Sequence, residues 1–556
     1  MRAIAVVAVM IYHANADWLP GGYLGVEVFF VISGYLITLL LISERERTGK
    51  VALGQFWLRR ARRLLPALGA MLALVMAYTA AFQSDSLGQL RGDVVAGLTY
   101  VTNWYQVWVG QGYTASGDFA PLRHLWSLAV EEQFYLVWPL VMMVILARGS
   151  RNLLRAAQWL VVMAVAVTVV SVVAFTPGRI ADCGVTPEQY WMIGDRCISK
   201  LDTLYLSSVT RSSGLLLGAA FAMMWRPAAI MRGPLRTKGL TLDLIGILGA
   251  GGLFAMFWTV HLVGPDGGGA VLFRGGLLAC AVLTLMVTAA VTHSQAFTGR
   301  ILGNPVLLWV GTRSYGLYLY HWPIYQAIRK VAGNPLTVIE FVGAMIATGV
   351  ITEISYRAIE TPIRRGTVGA WWKRLREPVN AAPRRVVLAS VATAAALTMF
   401  GAVSMAMAPL TQNEIAESLE EASGAVVDLG GILDLEATGP VISDPTPAPS
   451  TTEASSVSTE TTTPETTVPE TTTAPQPPIP YLAVGDSVML GAAPQLAEMG
   501  ILVDAQVSRQ MRDVVPVMQM LRDQDRFGNA VVVHLGTNGA VGAETFEAFM
   551  DTLTNV

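Results

Sequence analysis

LRHLWSLAVEEQFYLVWPLVMMVILA, residues 122–147, is an apolar run of membrane length that carries a histidine and two adjacent carboxylates. Hydrocarbon offers no water to solvate Glu131 or Glu132, so a helix spanning here must give each charge a partner or a task. His124, Ser127 and Glu131 follow i, i+3, i+7 and form one polar stripe, with Glu132 turned about 100° away. A carboxylate at that depth is not a solvated surface charge.

Runs of the same kind recur through the first three quarters of the chain. By the criterion of roughly 20 apolar residues there are about eleven, near 2-16, 24-43, 65-83, 124-147, 158-175, 212-225, 242-261, 270-291, 305-325, 337-357 and 386-408. The whole-chain composition agrees: of 556 residues 14% are charged and 53% hydrophobic, and the mean hydropathy is +0.49. Soluble domains carry about 25% charged residues. The chain therefore reads as an all-α polytopic membrane protein, with about ten core transmembrane helices plus one extra. The first run is short, since fifteen residues rise only about 22 Å against a hydrocarbon core of about 30 Å. That shortness implies either a true start upstream or a helix that leans on its neighbours; a cleaved signal peptide is the alternative, although no small-residue cleavage site separates a polar mature region.

Net charge of −2 excludes global electrostatic capture of nucleic acid. Lys and Arg instead collect in particular loops, and short basic loops stay cytoplasmic. Arg45, Arg47, Lys50, Arg59, Arg60, Arg62 and Arg63 place the loop between the second and third runs inside. Alternate crossings then put the basic clusters around Arg148, Arg226 and Arg364 inside as well, and the 176–211 loop outside. Three cysteines exclude a disulfide-rich scaffold. Cys183 and Cys197 fall in that outer, oxidising loop, where a disulfide is expected, and Cys280 is a packing residue in an apolar run.

Arg2 and His13 are eleven apart, which returns to within about 20° of one helix face and separates them by about 16 Å along the axis. One face thus holds a cation near the inner end and an imidazole near the outer end; anchoring and interfacial hydrogen bonding are the simpler reading. Ser314, Tyr318 and His321 repeat the stripe spacing in the ninth run, and Pro323 ends the pattern. Several stripes facing one interior point to a catalytic or transport site. In FWLRRARRLLP, Arg59 with Arg62 and Arg60 with Arg63 sit at i, i+3, an arrangement suited to phosphate groups, or to anchoring beside anionic lipids. No metal ligand set is expected.

After the last crossing, residues 444 to 480 are Thr, Pro, Ser and Glu without Lys or Arg. Such a segment cannot bury enough apolar surface to fold and reads as a disordered linker. From Tyr481, strand-like runs alternating with helical periodicity open a partial α/β domain.

Arg2 with ten residues before His13, GVEVFFVISGYLIT, FWLRRARRLLP, HLWSLAVEEQFYLVWP, SYGLYLYHWPI and IETPIRR, in this order, resemble the acyltransferase family 3 of integral membrane O-acyltransferases. The resemblance covers roughly residues 1 to 365. The tail is similar to an SGNH-type hydrolase fold, as in two-part O-acetyltransferases of peptidoglycan and other cell-surface glycans. The organisation this implies is 1-365 membrane acyltransferase domain, 366-408 cytoplasmic basic loop and extra helix, 409-480 extracytoplasmic linker, and 481-556 incomplete SGNH-like domain.

The resemblance implies acyl transfer, most plausibly of acetyl, from a cytoplasmic acyl-CoA donor substrate to a hydroxyl of an extracytoplasmic carbohydrate or glycolipid. No bound cofactor is expected, nor any nucleic acid partner; membrane lipids surround the bundle. Arg2, Arg59, Arg60, Arg62 and Arg63 would bind the donor, His13 would act as general base or transient acyl carrier, and Glu131 would orient an imidazole or keep it basic. His124, Ser127, Ser314, Tyr318 and His321 are further site candidates. In the tail the match makes Ser487 the nucleophile and Gly536 and Asn538 oxyanion residues. Ser508 stands where a glycine donor is expected, and no Asp-x-x-His follows, so Ser487 lacks a recognisable base and the tail is expected to be incomplete and inactive. A transporter or flippase would use the same intramembrane charges, and a membrane-tethered esterase would use the tail alone.

Overall fold

The computed structural model describes residues 1–112, 119–147, 152–178, 183, 186–194, 196–264, 267–333, 335–366, 381–408, 422, 424–427, 429, 478–507, 509–536 and 543–554. Most of the expected linker, together with Ser508 and Asn538, lies outside the described residues. Two compact units are present, Met1–Leu410 and Thr411–Val556.

Each of the eleven apolar runs forms a helix. These are α1 (Arg2–Ala14), α2 (Gly25–Thr48), α3 (Leu53–Phe82), α4 (Leu125–Ala147), α5 (Leu153–Ala174) and α6 (Ser212–Met224), followed by α7 (Gly239–Thr259), α8 (Leu277–Val291), α9 (Pro305–Ala332), α10 (Val338–Ser355) and α11 (Ala381–Met407). Eight helices among the described residues are long and apolar enough to cross a membrane; α1, α9 and α11 are the other three. Helix α9 passes through Pro323, where its polar stripe ends, and continues to Ala332. A proline inside a membrane helix is tolerated where a neighbour satisfies the carbonyl it frees.

Helix α1 is only 13 residues long, and its burial accounts for its persistence. Ala5, Val6, Val9, Met10 and Ala14 are buried, so the helix lies among its neighbours instead of facing lipid. Helices α2 and α6 cross closely because glycines face each other's backbones. A Cβ added at Gly34 would lie 2.1 Å from the Leu215 carbonyl oxygen, and one at Gly218 would lie 2.1 Å from that of Val31. In lipid, where apolar burial gives no net drive, such close approach is what holds helices together.

The extra helix α11 belongs to the same compact unit as the other ten. Gly401 meets Met76 of α3, and the Arg91 guanidinium donates to the Met405 carbonyl at 2.9 Å and to that of Ala408 at 2.6 Å. Those carbonyls lack intrahelical donors at a C-terminus, so Arg91 caps the helix. In the 176–211 loop, β1 (Tyr190–Ile193) pairs antiparallel with β2 (Arg196–Ser199), and Cys183 is bonded to Cys197.

The second unit contains a parallel three-stranded sheet, with β3 (Ile479–Gly485) between β4 (Leu502–Ala505) and β5 (Phe527–His534). Leu482 and Val484 of β3 pack on Val514, Met518 and Leu521 of the helix Met511–Asp523. Parallel strands with crossover helices are the α/β arrangement that the tail's pattern implied.

Candidate active site

Helices α4 and α9 run antiparallel in the interior, and their polar stripes meet residue for residue. At one end Arg2, Ser127, Glu131, Ser314 and Tyr318 line a single pocket with Phe29 and Phe30. The Arg2 Nε donates to Ser314 Oγ at 3.3 Å, and its guanidinium lies over the Phe29 ring. Ser127 Oγ and the Tyr318 hydroxyl are 2.6 Å apart, and that hydroxyl also donates to the His124 carbonyl at 3.0 Å.

At the other end three imidazoles converge. His13 Nδ1 and His321 Nε2 are 2.8 Å apart. His321 Nδ1 donates to the Tyr318 carbonyl at 2.6 Å, and the His124 ring lies edge-on to His321. His124 Nε2 donates to the Leu319 carbonyl at 3.0 Å. Leu319 is four residues before Pro323, which has no N–H to give it, so the proline in α9 creates the acceptor that His124 takes. His124 Nδ1 is buried without a hydrogen-bond partner. Trp322 packs edge-on against His13 and fixes itself through Nε1 to the Ala120 carbonyl at 2.8 Å. Arg329 donates to the His13 carbonyl, holding the end of α1.

The two ends join through the stripes: Glu131, Ser127 and His124 on α4 face Ser314, Tyr318 and His321 on α9. With Arg2 and His13 of α1, they form one polar file inside an apolar bundle. Six of the eight are buried, Arg2 and Glu131 being half-buried, and each makes a hydrogen bond as hydrocarbon burial requires.

The geometry revises two sequence readings. Glu131 does not orient an imidazole: its Oε1 accepts from the Ser33 and Tyr135 hydroxyls, and it lies in the Arg2 pocket. The group that meets His13 is His321. The four arginines of α3 also divide. Arg60 is 3.9 Å from Glu132 and sits over the Tyr135 ring at 3.3 Å; Arg63 feels the charges of Arg2, Arg60 and Glu131. Arg59 and Arg62 are exposed, with Arg59 paired to Glu44 at 3.7 Å. The i, i+3 pairs thus separate into one facing the file, Arg60 and Arg63, and one facing away, Arg59 and Arg62.

One charge pair escaped the sequence reading. Glu27 and Arg211 are fully buried with side-chain atoms 3.4 Å apart, and the guanidinium lies between Phe30, Trp126 and Tyr205. The signal was present, since Glu27 interrupts an apolar helix and demands a partner. Its partner stands outside any apolar run, just before α6, where spacing does not point to it.

In the second unit Ser487 opens the helix Ser487–Gly491 directly after β3. Asp486 accepts from the Val488 N–H at 3.1 Å and lies 3.2 Å from His534 Nδ1 at the end of β5. The histidine nearest in sequence to the GTN segment is thus engaged with the aspartate beside Ser487. Gly536 has φ +118, a conformation open to glycine.

A bundle of membrane helices with arginines at one end of an internal polar file and histidines at the other defines a multi-pass membrane protein with a built polar site in its interior. Residues 1–356 match the acyltransferase domain family, and the chain belongs to it. It is 31% identical over 558 residues to O-acetyltransferase OatA of Staphylococcus aureus strain MRSA252, spanning 99% of this chain and 83% of that protein. Peptidoglycan O-acetyltransferase OatA of Listeria monocytogenes is 30% identical over 568 residues, or 99% and 85% of the two chains. For O-acetyltransferase OatA of Staphylococcus aureus strain COL the match is 37% over 368 residues, 66% of this chain and 56% of that protein. No solved structure matches the chain. The protein is a multi-pass membrane O-acyltransferase.

Proposed function

We propose that this chain moves an acetyl group from acetyl-CoA, bound from the cytoplasmic side, to a hydroxyl of an extracytoplasmic peptidoglycan-type glycan. The observation that carries this reading is the polar file from Arg2 to His13, with Arg63 beside its Arg2 end. Guanidinium groups at that end suit the donor's phosphates, and the polar side chains of the file mark the way the acetylated thiol arm would take. The names of the relatives support acetyl as the group and peptidoglycan as the acceptor.

In this reading His13 is the general base. It takes the acceptor's hydroxyl proton as the oxygen attacks the thioester carbonyl; the C–O bond forms, the C–S bond breaks, and His13 returns the proton to the CoA sulfur. Arg2, Ser314 and the Ser127–Tyr318 pair orient the arm. In the C-terminal unit, which lies outside the cytoplasm by the alternation of basic loops, Ser487 is the hydroxyl that would carry the acyl group onward: a glycan hydroxyl attacks its ester, the new C–O bond forms as the bond from Ser487 Oγ to the acyl carbon breaks, and the proton returns to Ser487, with the oxyanion role of Gly536 and Asn538 taken from the family resemblance. Mass spectrometry of cell-wall glycan from cells expressing wild type or His13→Ala tests the proposal. Glycan ester is expected with the first and absent with the second at equal protein level; ester formation by His13→Ala overturns the reading.

A further inference from the structure

Residues 87–108 match none of the eleven apolar runs, yet they enter the bundle. The helices Leu87–Leu98 and Thr102–Trp108 fold back on each other, so closely that a Cβ added at Gly92 would lie 1.9 Å from the Tyr105 hydroxyl oxygen. Gln106 Nε2 donates to the Arg123 carbonyl at 2.9 Å, just before α4 begins. Gln133 Nε2, about 12 Å into α4, donates to the Tyr100 carbonyl at 2.8 Å. The turn of this hairpin therefore stops beside Glu132, within the span of α4. Leu98, Val101, Trp104 and Trp108 are exposed, as suits a side that faces lipid. Non-helical backbone at such depth must be satisfied by protein, and a closed ring of side chains secures it. Gln133 Nε2 also donates to Asn103 Oδ1 at 2.9 Å, Asn103 Nδ2 to Ser208 Oγ at 2.9 Å, and Ser208 Oγ to Gln133 Oε1.

The position at the turn is one that glycine usually fills. After the first helix the Tyr100 N–H donates to the Gly97 carbonyl and the Val101 N–H to the Ala96 carbonyl, the pair of bonds with which a helix ends on a left-handed residue. Tyr100 has φ +55, a conformation that a side chain disfavours and glycine adopts freely. A tyrosine is kept there at a cost in stability, so its side chain needs a reason. The ring packs on the apolar cluster of Leu68, Leu125 and Leu319 together with Leu128 and Tyr315, and those last two line the Arg2 pocket. Phenylalanine would serve that packing as well. The hydroxyl lies within reach of the charges of Glu132, Arg60 and Glu131 and makes no hydrogen bond among the described residues. We infer that Tyr100 is a binding residue for the acyl donor: the hairpin carries its hydroxyl to the donor end of the file, where it donates to an oxygen of the donor. The inference rests on the proposed function for what enters at that end.

The full chain, purified in detergent, is titrated with acetyl-CoA at equilibrium and assayed by CoA release with soluble peptidoglycan fragments as acceptor. Tyr100→Phe keeps the ring, its packing and the backbone, and removes only the hydroxyl. Its Kd for acetyl-CoA is expected to rise about 5–10-fold, as for the loss of one hydrogen bond, with kcat changed less than ~2-fold and Tm unchanged. Tyr100→Gly gives the left-handed position the residue it favours, yet should bind acetyl-CoA no better than Tyr100→Phe. Wild-type affinity in either variant overturns the inference, as does a loss confined to kcat. Should Tyr100→Gly fail to accumulate, Tyr100→Phe decides alone in the same terms. Absence of acetyl-CoA binding by the wild-type chain would instead overturn the reading of the donor, so the two failures are separable.

Discussion

The two ends of the intramembrane file handle polarity in opposite ways. At the inner end the groups are ionic: Arg60 with Glu132, Arg63 near Glu131, and Arg2 over Phe29 and beside Ser314. At the outer end they are imidazole rings held by directed hydrogen bonds, His124 and His321 each to a carbonyl of α9 and His13 to His321. Ionic groups tolerate imprecise geometry because Coulomb attraction falls slowly with distance, and they suit the capture of an anionic donor. Directed hydrogen bonds fix a tautomer to one atom, and they suit proton transfer. Under the proposed function, the contrast puts binding and chemistry at different ends of one file.

If so, the ends should have different kinetic signatures. The largest effect is expected for His13→Ala, in which CoA release with acceptor falls by about 10²–10⁴-fold while acetyl-CoA affinity, measured by equilibrium binding, is kept. Weakened donor binding in that variant would erase the distinction.

Next comes the buried pair beside the outer half. Arg211→Met leaves Glu27 charged and alone, a loss of about 3–5 kcal/mol that should abolish accumulation in the membrane. The double variant Glu27→Leu with Arg211→Met should accumulate again, as immunoblots of membrane fractions would record; if it accumulates but is inactive, the pair serves chemistry as well as folding.

At the inner end, Arg60→Gln with Arg63→Gln should raise the KM for acetyl-CoA by about tenfold, in keeping with loss of charge-assisted contacts, with little change in kcat. A fall in kcat alone would move these residues into the chemistry. The smallest effect is expected for Arg59→Gln with Arg62→Gln, less than ~2-fold in either constant, because exposed ion pairs such as Arg59 with Glu44 contribute little. Equal effects from both arginine pairs would mean that the basic patch acts as a lipid anchor and not as one wall of the file.

How far the site was legible in the sequence differs along its length. The stripes on α4 and α9 were readable because a helix repeats every 3.6 residues whatever surrounds it, and Arg2 and His13 shared a face for the same reason. Which stripe meets which was not readable, and that pairing made His321, in place of Glu131, the neighbour of His13. What Pro323 does was not readable either: its missing N–H frees the Leu319 carbonyl, and the His124 ring, distant in sequence, donates to it.

By itself, the sequence determined that the chain crosses a membrane many times, where its helices lie, which residues are too polar to be idle, and that its ordered motifs resemble membrane O-acyltransferases. Periodicity and hydropathy are local properties, and local chain segments express them without reference to the rest. Only the tertiary structure decided that Arg60 and Arg63 turn toward the file while Arg59 and Arg62 turn away, that Glu27 pairs with Arg211 across 184 positions of chain, and that a backbone carbonyl of α9 fixes the proton on His321. Those are consequences of helices meeting at particular rotations and depths, which depend on close contacts such as Gly34 against Leu215 and on bonds between residues hundreds of positions apart.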